Sequence, residues 1–303
     1  MYSSTKVAVI GAGLMGCGIA QVFASKNIPV NLYDAFDAAR NTARDKIAAN
    51  LQQVGQSQTT LDYIALTDDL KAAVEDADFL IEAVPEKVDL KRQVFAELLH
   101  CVKPECILAS NTSVIPIRDI ATGMDFGNRI VGTHWWNPPY LVPLVEVVQS
   151  EQSSLTAVQS MIELLRFVGK EPVHVQKDVP GFVGNRLQHA LWREAIALIN
   201  DGVCSAETVD IVVKNSFGMR LPVLGPIENA DLVGLDLTLD IHNVILPSLN
   251  RDCDPAEVLK QKVEAGELGM KSGTGFKAWT DESAAELREN LSRHLVAVTT
   301  NQQ

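Results

Sequence analysis

Val7-Ala8-Val9-Ile10-Gly11-Ala12-Gly13-Leu14-Met15-Gly16 is the stretch from which the fold can be read. The four apolar residues predict a short buried strand, and the apolar pattern resumes at Leu14 with a helical period as far as Ser25. Between them lie three glycines at G-x-G-x-x-G spacing. In a strand-turn-helix of this kind Gly11 makes the tight turn, Gly13 lets the backbone approach a pyrophosphate, and Gly16 lets helix and strand pack closely. The start of the helix offers free N–H groups and a positive dipole end to phosphate. The glycine pattern alone is common, so its context decides. A second strand, Val30 to Asp34, ends in an acid about 20 residues further on, where a carboxylate accepts hydrogen bonds from the adenosine ribose hydroxyls and repels a 2′-phosphate. The expected cofactor is NAD rather than NADP. Arg40 could serve a 2′-phosphate, but it lies inside the following helix and reads as a solvated side chain.

Outward from this unit, apolar runs at Phe79–Val84, Ile107–Ser110, Ile130–Thr133 and Leu144–Val148 alternate with helical patterns at 38–53 and 87–100. Strands alternating with helices imply β-α-β units and a mostly parallel sheet covered on both faces. After Pro180-Gly181-Phe182 the character changes: 185–200, 206–214, 237–249 and 255–265 read as helices and strand-like runs are scarce. The expected architecture is α/β, a Rossmann-type NAD-binding domain over 1–184 followed by an all-helical C-terminal domain over 185–303.

Composition narrows the function classes. A net charge of -12 argues against nucleic acid, whose affinity rests on clustered Lys and Arg at phosphates. The five cysteines, Cys17, Cys101, Cys106, Cys204 and Cys253, form no C-x-x-C pair and have no His at zinc spacing, so reduced thiols and no metal are expected. The N-terminus lacks the form of a signal peptide, and no apolar run reaches the ~20 residues that span a bilayer; no membrane association and a cytoplasmic location are expected.

Oxidation of an alcohol needs a base for the hydroxyl proton, and histidine suits neutral pH. Of six histidines, His100 and His294 fall in charged helical stretches, His174 alternates with Val173 and Val175 in a strand, and His189 and His242 belong to second-domain helices. His134 differs. It ends the strand from Ile130 and begins Trp135-Trp136-Asn137-Pro138-Pro139-Tyr140, beyond the carboxyl end of a strand, where open α/β sheets bind ligands. The tryptophans read either as a stiff pocket wall or as ordinary aromatic packing. Glu146, inside the apolar strand Leu144–Val148, is costly to bury unless partnered. His134 is the natural partner, though the residues alone leave the pairing open.

The chain resembles the L-3-hydroxyacyl-CoA dehydrogenase family over nearly its whole length. The likeness is carried by V-I-G-A-G-L-M-G from Val9, E-A-V-P-E from Glu82, S-N-T-S from Ser110, H-W-W-N-P from His134 with Glu146, P-G-F-V-G-N-R from Pro180, G-P-I-E-N-A-D-L-V-G-L-D from Gly225 and K-S-G-T-G-F from Lys271. The resemblance implies His134 as catalytic base, Glu146 as its partner, Ser113 bonding the substrate oxygen, and Asn185 and Asn137 near substrate and cofactor. It implies that Glu86 and Lys91 line the nicotinamide side, and that Leu14, Met15 and Asn111 join Gly11, Gly13, Gly16 and Asp34 in the NAD site. It also implies a homodimer formed through the helical domain and, for acyl-CoA members, a place in fatty acid metabolism. Three positions depart from the acyl-CoA pattern: Trp135 and Trp136 stand where two Phe are common, and Pro143 where a Lys often stands. The N-P-P-Y-L-V-P-L-V-E form is more similar to branches acting on free acids, the L-gulonate, carnitine and pyridine-carboxylate dehydrogenases.

Three expectations follow. The first is an NAD-dependent enzyme interconverting a (S)-3-hydroxyacyl-CoA and its 3-oxoacyl-CoA. The second keeps the chemistry on a free hydroxy acid, or a formyl or hydroxymethyl aromatic acid, with Arg186 or Arg220 as candidate carboxylate clamp. The third is a non-catalytic, crystallin-like binding or structural protein.

Overall fold

The computed structural model describes residues 2, 4–126 and 128–300. The chain opens with β1 (Val7–Ile10), α1 (Leu14–Ala24), β2 (Val30–Tyr33), α2 (Asp37–Gln53), β3 (Ile64–Thr67), α3 (Leu70–Val74), β4 (Phe79–Glu82) and α4 (Val88–Leu98). It continues through β5 (Ile107–Ser110), α5 (Ile117–Ile120), β6 (Ile130–Trp135), β7 (Leu144–Val148), α6 (Leu155–Phe167) and β8 (Glu171–Val175). Helices follow: α7 (Gly184–Asn200), α8 (Ala206–Lys214), α9 (Pro226–Val233), α10 (Leu235–Ile245), α11 (Glu257–Glu264) and α12 (Asp281–Thr300).

The strands form one sheet in the order β3-β2-β1-β4-β5-β6-β7-β8. Every neighbouring pair is parallel except β6 and β7. β1, β4 and β6 are buried along their full lengths, which is why they read as mainly apolar runs rather than as alternating ones. One face packs Ile19 and Phe23 of α1, Ile47 and Leu51 of α2 and Met161 and Leu164 of α6 into a core. The other packs Val74, Phe95, Leu98, Ile117 and Ile120. The strand order reverses between β1 and β4, and the crevice beyond their carboxyl ends is where a sheet of this topology holds a nucleotide.

Three differences from the sequence reading have physical causes. β3 escapes the apolar pattern because it is an edge strand, only its first residue being buried. β6 runs on through His134 and Trp135, and β7 returns antiparallel to it, with Gly132 paired to Val148 and Trp135 to Val145. The connection 136–143 is too short for a parallel crossover, which needs a dozen or more residues. In the second half, the helix expected over 237–249 ends at Ile245 and tightens into a 3-10 turn over Leu246–Ser248, where Pro247 cannot continue an α-helix.

The chain divides into two compact units, one running to Arg186 and including the segment from Ser292, the other Leu187–Leu291. Among the described residues no helix is long and apolar enough to cross a membrane.

Candidate active site

The cofactor end of the site is built from glycines that space requires. Gly11 has φ +106°, and a Cβ there would lie 2.7 Å from the Ala83 carbonyl oxygen. At Gly16 a Cβ would lie 1.7 Å from the Gly11 carbonyl, so only glycine lets α1 approach the turn. Gly13 is the opposite case: nothing in the protein lies within 4 Å of where its Cβ would be. It caps α1 without a side chain, with open space above the helix N-terminus, and a Cβ would fill the volume a pyrophosphate needs. Leu14, exposed, and Met15, half-buried, follow it in the first turn. Asp34 lies just past β2. Its Oδ2 accepts from the Ala12 N–H at 2.7 Å and its Oδ1 from the Phe36 N–H at 2.9 Å, tying the glycine turn to the strand end where ribose is read. These residues fit a dinucleotide.

Beside this cradle the acid-rich motif from Glu82 separates into two roles. Glu86 is exposed, and its Oε1 accepts from the Thr112 hydroxyl at 2.7 Å and from the Ser113 and Val114 amides at 2.8 and 3.1 Å. Desolvation of the carboxyl opposes its ionisation, but those bonds and the Lys91 charge hold it below its usual range. Lys91 is fully buried, with Nζ 2.8 and 3.1 Å from the two Glu82 oxygens, 3.4 Å from the Glu86 carboxylate and 3.4 Å from the Asn111 carbonyl. Its charge is therefore engaged beneath the loops rather than presented to an open cleft. Glu82, which the sequence reading passed over, is the partner that makes this possible. It ends β4 fully buried and also accepts from the Ser110 hydroxyl at 2.6 Å. The signal was available: a carboxylate closing the apolar run Phe79-Leu80-Ile81 needs a partner as much as Glu146 does. Asn111 Oδ1 accepts from the Trp135 N–H at 3.2 Å, linking this network to β6.

The antiparallel register of β6 and β7 sets His134 opposite Glu146. Nδ1 of His134 lies 2.7 Å from Glu146 Oε2, and both residues are buried. The second carboxylate oxygen accepts from the Val183 and Gly184 amides at 2.9 and 3.1 Å. Burial opposes the charge on Glu146, but the bonds from His134 and from those amides outweigh it and hold the carboxyl below its usual range. An ionised Glu146 fixes the proton of a neutral His134 on Nδ1 and leaves Nε2 as the acceptor. The pair can thus take a proton at Nε2 and stabilise the resulting imidazolium.

The two tryptophans part company. Trp135 is buried against Phe23, ring centroids 6.0 Å apart, and is core packing. Trp136 packs on the His134 ring at 5.1 Å, with Phe182 at 5.7 Å on the same ring. A Cβ at Gly184 would lie 2.5 Å from Trp136 Cζ2, so glycine there keeps the indole beside the base. Asn185, buried in the first turn of α7, donates from Nδ2 to the Ser113 carbonyl at 2.8 Å, which brings the S-N-T-S loop against the end of the His134–Glu146 assembly. Ser113 and Asn137 are exposed. Arg186 is exposed with Nη1 3.4 Å from the Pro180 carbonyl, and Arg220 belongs to the second unit. Burial pushes the Cys17 and Cys106 thiols up to about 11 and about 12, which removes both as nucleophiles at neutral pH. Among the described residues no group of His, Cys, Asp and Glu could hold a metal ion.

Residues 6–179 match the 3-hydroxyacyl-CoA dehydrogenase NAD binding domain, and 181–279 match the C-terminal domain of the same name. The chain is 35% identical to a 5-formyl-3-hydroxy-2-methylpyridine 4-carboxylate 5-dehydrogenase from Mesorhizobium japonicum, over 96% of each protein. A crystal structure of an enzyme of that name, described as an NAD+ dependent dismutase, superposes with TM-score 0.90 at 35% identity, over 98% of this chain and 97% of the other. A probable 3-hydroxybutyryl-CoA dehydrogenase from Deinococcus radiodurans is 38% identical over 89% of this chain and 99% of its own length. A 3-hydroxyacyl-CoA dehydrogenase structure from Archaeoglobus fulgidus superposes with TM-score 0.71 at 35% identity, over 97% of this chain and 98% of the other.

Proposed function

The chain belongs to the 3-hydroxyacyl-CoA dehydrogenase family, whose members are NAD-dependent oxidoreductases, and from that premise we propose that His134 is the base of a hydroxyl oxidation run on a small free carboxylic acid. The observation that carries the chemistry is the buried His134–Glu146 pair, held from its far side by the Val183 and Gly184 amides. NAD supplies the hydride acceptor. His134 Nε2 would take the hydroxyl proton, Glu146 would support the imidazolium, and Ser113, Asn185 and Asn137 would orient the oxygen and its neighbours. Gly11, Gly13, Leu14, Met15, Gly16, Asp34 and Asn111 would hold the cofactor, with Glu86 toward its nicotinamide and Lys91 3.4 Å from the Glu86 carboxylate. Run in reverse, the same groups protonate a carbonyl oxygen as hydride arrives.

Two features support the free-acid substrate. A pyridine-carboxylate dehydrogenase from Mesorhizobium japonicum is 35% identical over 96% of each protein. Trp136 also fills the space beside the base with an indole. The second reading, a (S)-3-hydroxyacyl-CoA in fatty acid metabolism, is favoured by the 38% identical hydroxybutyryl-CoA relative. Since the family is catalytic, the crystallin-like expectation is set aside. We place the enzyme in the cytoplasm, where its five free cysteines stay reduced, as a homodimer.

The test is NADH oxidation by purified protein with acetoacetyl-CoA, free acetoacetate, dehydrocarnitine and a formylpyridine carboxylate in parallel. Saturable turnover of a free acid, with the thioester slow, is the expected result. Fast turnover of the thioester alone would overturn the free-acid assignment and establish the second reading.

A further inference from the structure

The cofactor cradle contains a cation that NAD has no use for. Arg40, in the first turns of α2, reaches back to the end of β2, where its Nη1 donates to the Asp34 carbonyl oxygen at 2.6 Å. The guanidinium therefore lies against the residue proposed above to hold the ribose. Its Nη2 is bonded to the Asp37 carboxylate and lies 3.4 Å from that of Asp68, at the end of the neighbouring β3. The Arg40 side chain is only 15% exposed, while Asp37 and Asp68 are 82% and 74% exposed. The cation is anchored, and its two acidic partners are the solvent-facing, replaceable members of the cluster.

We infer that Arg40 is a 2′-phosphate site held shut, and that selectivity for NAD over NADP is set by Asp34 together with the Asp37 and Asp68 clamp on this arginine. A guanidinium presents a fork of donors that suits phosphate oxygens as well as carboxylates, and an arginine near this strand end is how related folds accept a 2′-phosphate. Here two carboxylates, those of Asp37 and Asp68, crowd one guanidinium that is also bonded to the Asp34 carbonyl, with the Asp34 carboxylate on the same residue. Neutralising Asp34 alone leaves Arg40 occupied and two negative charges in place. Neutralising all three frees the Nη2 edge, with Nη1 still anchored on the Asp34 carbonyl, and reverses the sign of the local charge.

The ratio of affinities for 2′,5′-ADP and ADP isolates the 2′-phosphate and is read by calorimetry without any turnover. Wild type should prefer ADP. Asp34→Asn should narrow the preference. Adding Asp37→Asn and Asp68→Asn should reverse it, by about tenfold relative to Asp34→Asn and less at high salt, as for an ion pair open to solvent. Arg40→Met in that triple background should return the ratio to the level of Asp34→Asn alone. ADP affinity within a few-fold of wild type serves as the control for folding. If the triple variant does not fold, Asp34→Asn/Asp68→Asn with and without Arg40→Met carries the same comparison. A triple variant no better than Asp34→Asn at binding 2′,5′-ADP, or a gain that survives Arg40→Met, would overturn the inference.

Discussion

Replacing His134 by Gln keeps a ring-sized polar side chain but no group that takes a proton near neutral pH. If His134 is the base, kcat should fall by roughly 10²- to 10⁴-fold, the range for general base removal, while NADH binding measured by fluorescence stays close to wild type. Unchanged turnover would remove His134 from the mechanism. Glu146→Gln tests the partner. The amide keeps an acceptor for the Val183 and Gly184 N–H groups but loses the charge that supports an imidazolium, so kcat should drop with little change in cofactor affinity. The same variant reads out stability. The native Glu146 carboxyl titrates below its ordinary range, so its contribution is fully present above the unfolded value of about 4.3 and is lost as pH falls through the native value. Between about pH 5 and pH 3, wild type should lose denaturation free energy faster than Glu146→Gln. At this scale the chain was readable wherever a polar residue interrupted an apolar run, because burying a lone carboxylate is costly. That rule pointed from Glu146 to His134, now 2.7 Å apart, and it applied equally to Glu82 and Lys91, whose pairing a reading focused on the cofactor missed. Which tryptophan faces the histidine was not readable, since the apolar run ends at Thr133 whereas β6 runs on to Trp135, which it turns into the core, leaving Trp136 just past its end beside His134.

The glycine turn was legible as an element because its reasons are local. Its glycines are not equivalent, and the structure separates them. Gly13→Ala meets open space, so the thermal midpoint should hardly move while NADH affinity falls tenfold or more, the new methyl occupying the phosphate approach. Gly16→Ala meets the Gly11 carbonyl at 1.7 Å and should lower both stability and binding. Equal effects of the two on the melting temperature would contradict this division. The β6–β7 return was not legible, because direction is set by the length and anchoring of the connection rather than by the strands' own pattern. Lys170, just before β8, is that anchor: it is buried, donates to the Pro139 carbonyl and, at 2.9 Å, to the Val142 carbonyl, and sits 5.7 Å from the Trp135 ring. Lys170→Met should cost about 1–3 kcal/mol for each carbonyl left without a donor. Burial pushes the Lys170 ammonium down to about 8 from 10.5. Between those values the unfolded chain binds the extra proton, so wild-type stability gains with rising pH, and a neutral amine still has two hydrogens for its two carbonyls. The deficit of Lys170→Met in urea denaturation should therefore be larger at pH 9.5 than at pH 7.5, and a deficit that shrinks would rule out this account.

At the scale of the molecule the helical unit poses a problem that neither its sequence nor its single-chain structure solves alone. The amphipathic patterns of its helices say that each has an apolar face to cover, but a 3.6-residue period does not identify what covers it. Within one chain no residue of α8, α9, α10 or α11 is buried. Val223 is 88% exposed, Val244 79%, Ile227 75% and Leu232 73%. Monomers rarely leave so many large apolar side chains in water, and a set of helices with few buried residues of its own does little to offset the entropy of being ordered. A second copy of the chain is the occupant consistent with the family resemblance, and in a two-fold dimer the same face serves both partners. The resulting prediction joins assembly to stability. Sedimentation equilibrium at micromolar concentration should return twice the chain mass, and the melting temperature should rise with protein concentration because the interface contributes to the folded state. Ile227→Glu/Val244→Glu places two charges on the exposed face, where a monomer would tolerate them with little change. A dimer would not: the variant should sediment as a single chain and melt several degrees lower, with the concentration dependence gone. Wild type sedimenting as a single chain, with a melting temperature indifferent to concentration, would mean that the apolar helices are covered by something other than a second copy.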